Sequence, residues 1–463
     1  MKKLIFISII LFLPSILFSQ GENNNWITNF GGFNFNNIQD GKPELINTGI
    51  DYMNYDNAVV SDPEGNLLFY TNGININNKN LQKMYNGLIN IVNNTKEWHY
   101  LSTVIVPHRT NINLFYVVQS QQKKYLTIFT VDISKENGLG MVVNYDTIFT
   151  DHKISRLTST RHSNGRDVWI IGIADNEEPD HEFYLYSWLV DLNGINKNKN
   201  EFSFEIVTKK NDIFGKGYLI FPKVNCQKLV ISNTGEKLGF YYGFGDKYIY
   251  FLFKFDNSTG IVFDKIEWNI NTEGSKYETY FSFSPNENYL YTSSITRYNL
   301  ISWDTTDIKN SRIIINNIKT EETKQNMQMG PDNKIYVSLL NESNEDENYI
   351  GIIHNPDATY VDNINFEKKA FSFSLAEFYI VAQFPQPVVP RIHYSAEITG
   401  DTVYCAGDTL RLRAGTIPDT MEIDSVIWSR APLHNDTVLT LGPLDSYDEG
   451  YYRVTVYYRG IPR

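Results

Sequence analysis

One short phrase recurs along the chain, and its plainest copy is MGPDNKIYVSLL at 329–340, a polar turn followed by a strand. Pro331 presets φ for a tight turn, while Asp332 and Asn333 tolerate left-handed backbone and hydrogen-bond their own main chain. Beyond the turn, Ile335, Val337 and Leu339 fall on one face and Tyr336 and Ser338 on the other, which is the period-two signature of a β-strand. The phrase returns as SDPEGNLLFYT (61–71), HSNGRDVWIIGI (162–173), SNTGEKLGFYYG (232–243) and SPNENYLYTS (284–293), with a looser copy in PHRTNINLFYVV (107–118).

A second aromatic strand follows most copies, usually closed by an acidic turn. It reads YLTIFTVDIS from Tyr125, FYLYSWLVDLNG from Phe183, YIYFLFKFDNSTG from Tyr248, LISWDTTD from Leu300 and YIGIIHNPD from Tyr349. Paired hairpins at roughly fifty-residue spacing match the blade period of a β-propeller. A lone blade cannot bury both of its faces, so blades must pack radially. Six repeats are plain, and a seventh is expected from the two ends, with WITNFGGFNF (26–35) near FSFSLAEFYIVAQF (371–384). The expectation is therefore an all-β chain whose 20–384 form a propeller of seven blades, with six as the alternative.

The flanks read differently. Residues 1–19 begin with Lys2 and Lys3 and continue as an apolar run through Phe18, too short for a membrane span, so a cleaved secretory signal is expected. No transmembrane span is then expected in the processed chain. FPQPVVPRI supplies three prolines, and 385–394 read as a semi-rigid linker. Beyond it GDTLRLRAG, DSVIWSR, DTVLTLGPL and DEGYYRVTVYY are short strands at sandwich spacing. Trp428 stands where an immunoglobulin-like domain places its core tryptophan, and Asp448, Gly450 and Tyr452 where it places its tyrosine corner. Val454 occupies the second-cysteine position, so no inter-sheet disulfide is expected. The domain at 395–463 reads as incomplete: DEGYYRVTVYY looks like strand F, and too little follows it for strand G, as in a fragment of a longer protein or a sandwich completed by a neighbour.

These residues, in this order, resemble a family. The tryptophan and glycine-aromatic opening, then SDPEGNLLFYTNG, VIVPHRTNINLFYVV, RHSNGRDVWIIG, FDNSTGIV, FSPNENYLY, MGPDNKIYV and IGIIHNPDA, then an immunoglobulin- or PKD-like module, are similar to the large secreted propeller proteins of gliding bacteria. Those proteins usually end in a type nine secretion sorting domain, which this sequence does not contain. The resemblance implies an extracytoplasmic, surface-associated protein of the gliding-motility type, and it supplies no catalytic residues.

Composition narrows the function classes. A formal charge of -12 without a basic stripe opposes nucleic-acid binding. With 31 Tyr and 28 Phe the chain is rich in side chains that suit pleated, half-buried surfaces. Two cysteines, Cys226 and Cys405, cannot make a disulfide framework. The histidines, His99, His108, His152, His162, His181, His354, His393 and His434, show no metal-ligand spacing.

Carboxylates are more numerous. Glu177, Glu178, Asp180 and Glu182 surround His181, and Glu342, Glu345, Asp346 and Glu347 share another loop, yet neither set alternates like a calcium loop. Asp132, Asp191, Asp256 and Asp304 close successive second strands and suit turns in which the carboxylate bonds backbone amides. Gly243 and Gly245 lack the third glycine and the helix of a nucleotide site. No acyl-transfer elbow occurs. No catalytic, cofactor-binding or metal residue is therefore assigned.

Trp98, Trp169, Trp188, Trp268 and Trp303 lie in or beside strands, and any of them exposed at the ring mouth could stack on a sugar or a peptide side chain, although most belong to the core. The expected function is a secreted or cell-surface, non-enzymatic binding or scaffold module that presents propeller loops to a protein or polysaccharide. The alternative is a propeller hydrolase or lactonase with a histidine and carboxylates gathered at the channel mouth. Convergence in space leaves no trace in sequence.

Overall fold

The computed structural model describes residues 21–28, 31–48, 57–89, 102–120, 123–175, 182–205, 228–244, 247–270, 280–292, 295–315, 322–341, 348–373 and 384–391, and, further on, 395–401, 403–417, 423, 425–429, 436–445, 447–449, 451–458 and 461–462. The expected signal at 1–19 lies outside the described residues. Two compact units divide the chain, the first ending at Pro390 and the second beginning at Arg391. Both are built almost wholly of antiparallel strands.

In the first unit the recurring phrase does one structural job. Each copy joins the first strand of a four-stranded meander to the second: Ala58–Ser61 to Leu67–Thr71, Ser102–Pro107 to Leu114–Ser120, Lys153–Arg161 to Val168–Asp175, Leu229–Ile231 to Lys237–Phe244, Phe281–Phe283 to Tyr289–Thr292, and Glu322–Met329 to Ile335–Asn341. The aromatic strand that follows is the third of its meander, as in Tyr125–Asp132, Glu182–Asp191, Lys247–Asp256 and Asn348–Ile353. LISWDTTD departs from this pattern. Its strand, Thr296–Asn299, has ended before Leu300, and Asp304 caps the short helix Thr305–Asn310 by accepting from the amides of Thr306 and Asp307 at 2.8 and 3.0 Å. An Asp with two following amides within reach favours a helix start over a strand end.

Among the described residues seven groups of strands result, the first of them the three-stranded Asn25–Thr28, Gly31–Gln39 and Lys42–Ile46. The second and third are zipped into one eight-stranded sheet by a parallel bridge between Tyr85 and Met141 on their outer strands. Successive groups share cores. Ile27 of the first packs with Val59 and Tyr70 of the second, Phe69 with Phe115 of the third, and Val118 with Leu157 and Trp188 of the fourth. Phe183 and Phe204 then meet Phe240 and Phe251 of the fifth, Trp268 meets Phe281 and Leu290 of the sixth, and Tyr291 meets Val337 and Leu339 of the seventh. Finally Tyr336, Ile350 and Ile352 of the seventh pack on Trp26, Phe33 and Phe35 of the first.

The strand at 335–341 explains this continuity at residue level. Ile335, Val337 and Leu339 face the sixth group while Tyr336, between them in sequence, faces the first. Both faces of the sheet are buried, each contributing about 1.5–3 kcal/mol per large apolar side chain. The two ends of the unit meet through side chains and not as one repeat: the described strands of the first group all come from 25–46 and Phe366–Phe373 belongs to the seventh, while 374–383 of the stretch expected to join them lie outside the described residues. Phe33 lies 5.1 Å from Phe371, and Trp26 lies 5.1 Å from Phe384.

The second unit is a two-sheet sandwich. Ser395–Gly400, Leu410–Ile417 and Val438–Leu441 face Ser425–Trp428, Val454–Tyr458 and Ile461–Pro462. Trp428, Val426, Leu412, Leu439 and Val456 form its core. Trp428 donates from Nε1 to the Asp436 carbonyl at 3.0 Å, and Tyr452 donates from Oη to the Asp448 carbonyl at 2.8 Å. Among the described residues the last strand pairs with its neighbour through Tyr457 with Pro462 and Tyr458 with Ile461.

Candidate functional site

The first strands of several groups of the first unit line a partly open cavity of about 690 Å³. Its wall is drawn from Trp26, from 158–161 and 228–233, from Ser282 and Phe283, from 327–333, and from 386–390. The last of these overturns a reading of the sequence. The proline segment, expected at 385–394 as a linker, is buried in the first unit along 384–389 except for Pro387. Prolines mark extended backbone without N–H donors, and such a segment serves equally as an exposed spacer or as a buried strand end whose carbonyls are bonded from outside.

The segment is fastened on several sides. Gln328 Nε2 donates to the Pro385 carbonyl at 2.7 Å, and the Gln386 amide donates to the Asn57 carbonyl at 2.7 Å. Asn23 embraces Val388, its Nδ2 donating to the carbonyl at 2.9 Å and its Oδ1 accepting from the amide at 2.8 Å. Arg161 donates from Nη2 to the Pro390 carbonyl at 2.6 Å and from Nη1 to the Gly165 carbonyl at 2.9 Å.

The charged side chains of the wall are Arg161, Lys228 and Asp332. Lys228, 8% exposed, donates to Gln328 Oε1 at 2.6 Å and to the Met327 carbonyl at 3.4 Å, which links the fifth group to the seventh. Asp332 accepts from Tyr336 Oη at 3.0 Å and pairs with Lys334 at 3.2 Å. Burial, reinforced by the Asp332 carboxylate, pushes the Tyr336 hydroxyl far above the ordinary phenol range, so it stays a donor. No local pattern in the sequence marks Arg161, Lys228 or Gln328 as neighbours of one cavity.

The residues weighed from sequence fall elsewhere. Asp132, Asp191 and Asp256 each accept the backbone amide two residues on, at 3.0, 2.7 and 2.9 Å, which is a turn role. His108 and His162 also accept following amides, at 3.2 and 2.9 Å, and His162 stacks on Trp169. His152 stacks on Tyr184 with ring centroids 3.7 Å apart and shares a 2.6 Å hydrogen bond with Tyr186; desolvation holds its pKa below the usual imidazole value. His354 bonds Glu367 at 2.9 Å, and Glu182 accepts from Tyr184 Oη at 2.5 Å. Trp169, Trp188 and Trp268 are core residues, while Trp303, half-buried, donates to the Asp264 carbonyl. Gly243 is an ordinary strand position opposite Tyr248. Cys405 is an exposed thiol.

His99, His181, His393, His434, Trp98, Cys226, Gly245, Glu177, Glu178, Asp180, Glu342, Glu345, Asp346 and Glu347 lie outside the described residues. Among the described residues no group of three or more His, Cys, Asp or Glu side chains is placed to hold a metal ion, and no helix is long and apolar enough to cross a membrane.

No protein-family description matches the sequence, and no curated protein matches it. Solved structures do share parts of its shape. A candidate 6-phosphogluconolactonase from Bacteroides uniformis is 14% identical at a TM-score of 0.34, over 59% of this chain and 71% of that one. The cobalt-substituted Synechocystis ACO protein is 12% identical at 0.34, over 70% and 73%. Sqt1 from Chaetomium thermophilum is 8% identical at 0.37, over 69% of each chain.

Proposed function

We propose that the chain is an exported, non-catalytic binding or scaffold protein. Its seven strand groups are the blades of a propeller whose loops meet a protein or polysaccharide at the cell surface, and its second unit is an immunoglobulin-like spacer or adhesive arm. The secreted propeller proteins of gliding bacteria, exported by type nine secretion, are the relatives this reading implies. The observation that carries it is the fate of the channel's charged groups. Arg161 and Lys228 are committed to partners from other parts of the unit, and Asp332 to Tyr336 and Lys334 of its own hairpin. Such groups serve architecture, and recognition falls to the loops that the ring displays.

The test measures binding and turnover on one preparation. The purified full chain should bind surface polysaccharide or surface protein of the source cells saturably by biolayer interferometry. It should leave lactone and ester substrates unchanged over hours. Turnover above buffer that disappears on Lys228→Gln or Asp332→Asn would replace this reading with a channel hydrolase.

A further inference from the structure

We propose that 384–390 are a clasp across the channel that locks the seam between the first and seventh strand groups. In a ring of repeats each group shares its apolar core only with its neighbours, so one seam can open while the other cores stay intact. The segment bonds groups that are not neighbours. Pro385 is held by Gln328 of the seventh, Gln386 by Asn57 at the entry to the second, Val388 by Asn23 at the entry to the first, and Pro390 by Arg161 of the fourth.

Its side chains repeat the pattern. Phe384 packs with Trp26 and Phe33 of the first group and Tyr336 and Ile350 of the seventh, Val388 joins the core of the second and third, and Val389 joins that of the third and fourth. Opening the seam therefore strips Phe384 of one side of its core and pulls the bonded backbone behind it out of register. The prolines favour this role, since residues with φ already fixed lose less freedom when the segment seats. Gln386 and Val388, which lie between the prolines, have amides that are both bonded.

Hydrogen exchange on the full chain tests the clasp. Asn23→Ala removes both bonds to Val388 and should speed exchange at Gln386 and Val388 about tenfold or more. The same acceleration should reach Trp26 to Thr28 and Ile350 to Ile353, on either side of the seam, and leave Phe251 to Phe253 unchanged. Acceleration confined to Val388, or spread evenly over the first unit, would overturn the proposal. The reverse experiment guards against a variant that merely folds poorly. In a Cys226→Ser, Cys405→Ser background, the pair Asn23→Cys and Val388→Cys is compared oxidised and reduced. Oxidation should slow exchange at the seam strands, and equal rates in the two states would also overturn it.

Discussion

Gly235 shows what the recurring turn demands of a single residue. At the fourth position of the turn the backbone enters the left-handed region, with φ of 84° at Gly65, 70° at Gly165, 78° at Gly235, 60° at Glu287 and 60° at Asn333. A Cβ at Gly235 would also run into Thr160 Oγ1 of the preceding group. Gly235→Ala should therefore cost about 1–3 kcal/mol, seen as a lower urea midpoint by tryptophan fluorescence. Of the two non-glycine residues there, Asn333 is of a type that tolerates this region, whereas the Glu287 carboxylate accepts from Thr234 Oγ1 at 3.0 Å and lies 3.4 Å from Lys237, so a side-chain bridge to the fifth group offsets the backbone cost. Asp256 makes a pH-dependent contribution. Hydrogen bonds from Ser258 and Thr259 hold its carboxyl down to about 2, below the roughly 3.9 of an unfolded Asp. Its stabilisation is complete above pH ~4 and is lost as pH falls towards that lower value. Asp256→Asn should therefore lose less stability between pH 7 and pH 3 than the parent does, measured by urea titration at both.

At the scale of elements, the seam is where sequence-distant strands must find each other. Lys42 pairs with Glu367 at 2.6 Å and His354 with the same carboxylate at 2.9 Å, while Lys334 reaches the Gly41 carbonyl. The Lys42 hydrogen bond, helped by His354, keeps the Glu367 carboxyl below its usual range. The pair's contribution is thus present above the roughly 4.3 of an unfolded Glu and fades as pH drops below it. Both partners are about a third exposed, so Lys42→Met should cost only about 0.5 kcal/mol at pH 7, and less at pH 3, in paired urea melts. Neither this pairing nor the channel was legible in the sequence. The turns and the third strands were, because Asp, Asn, Gly and alternating apolar residues act over a few positions. The proline segment misled because its partners Asn23 and Asn57 lie more than three hundred residues away, and composition cannot distinguish a tethered spacer from a buried strap. The 300–304 stretch misled because an aromatic strand pattern and a helix cap share Asp304, and the cap won.

At the scale of the whole molecule, the first unit's cores run from group to group, whereas the second unit rests on a core of its own around Trp428. Each unit thus carries its own reason to fold, and a lesion in one should report on that one alone. Tyr452→Phe keeps the ring in the second unit's core and deletes only the hydroxyl that donates to the Asp448 carbonyl at 2.8 Å. The loss should be about 1 kcal/mol. In a domain of this size that lowers the midpoint by about 4–8 °C. Scanning calorimetry of the full chain should therefore show two transitions, with Tyr452→Phe moving one and Gly235→Ala the other. A single transition that either substitution shifts as a whole would mean that the units unfold as one cooperative body, and the division at Pro390 would then describe shape without describing stability.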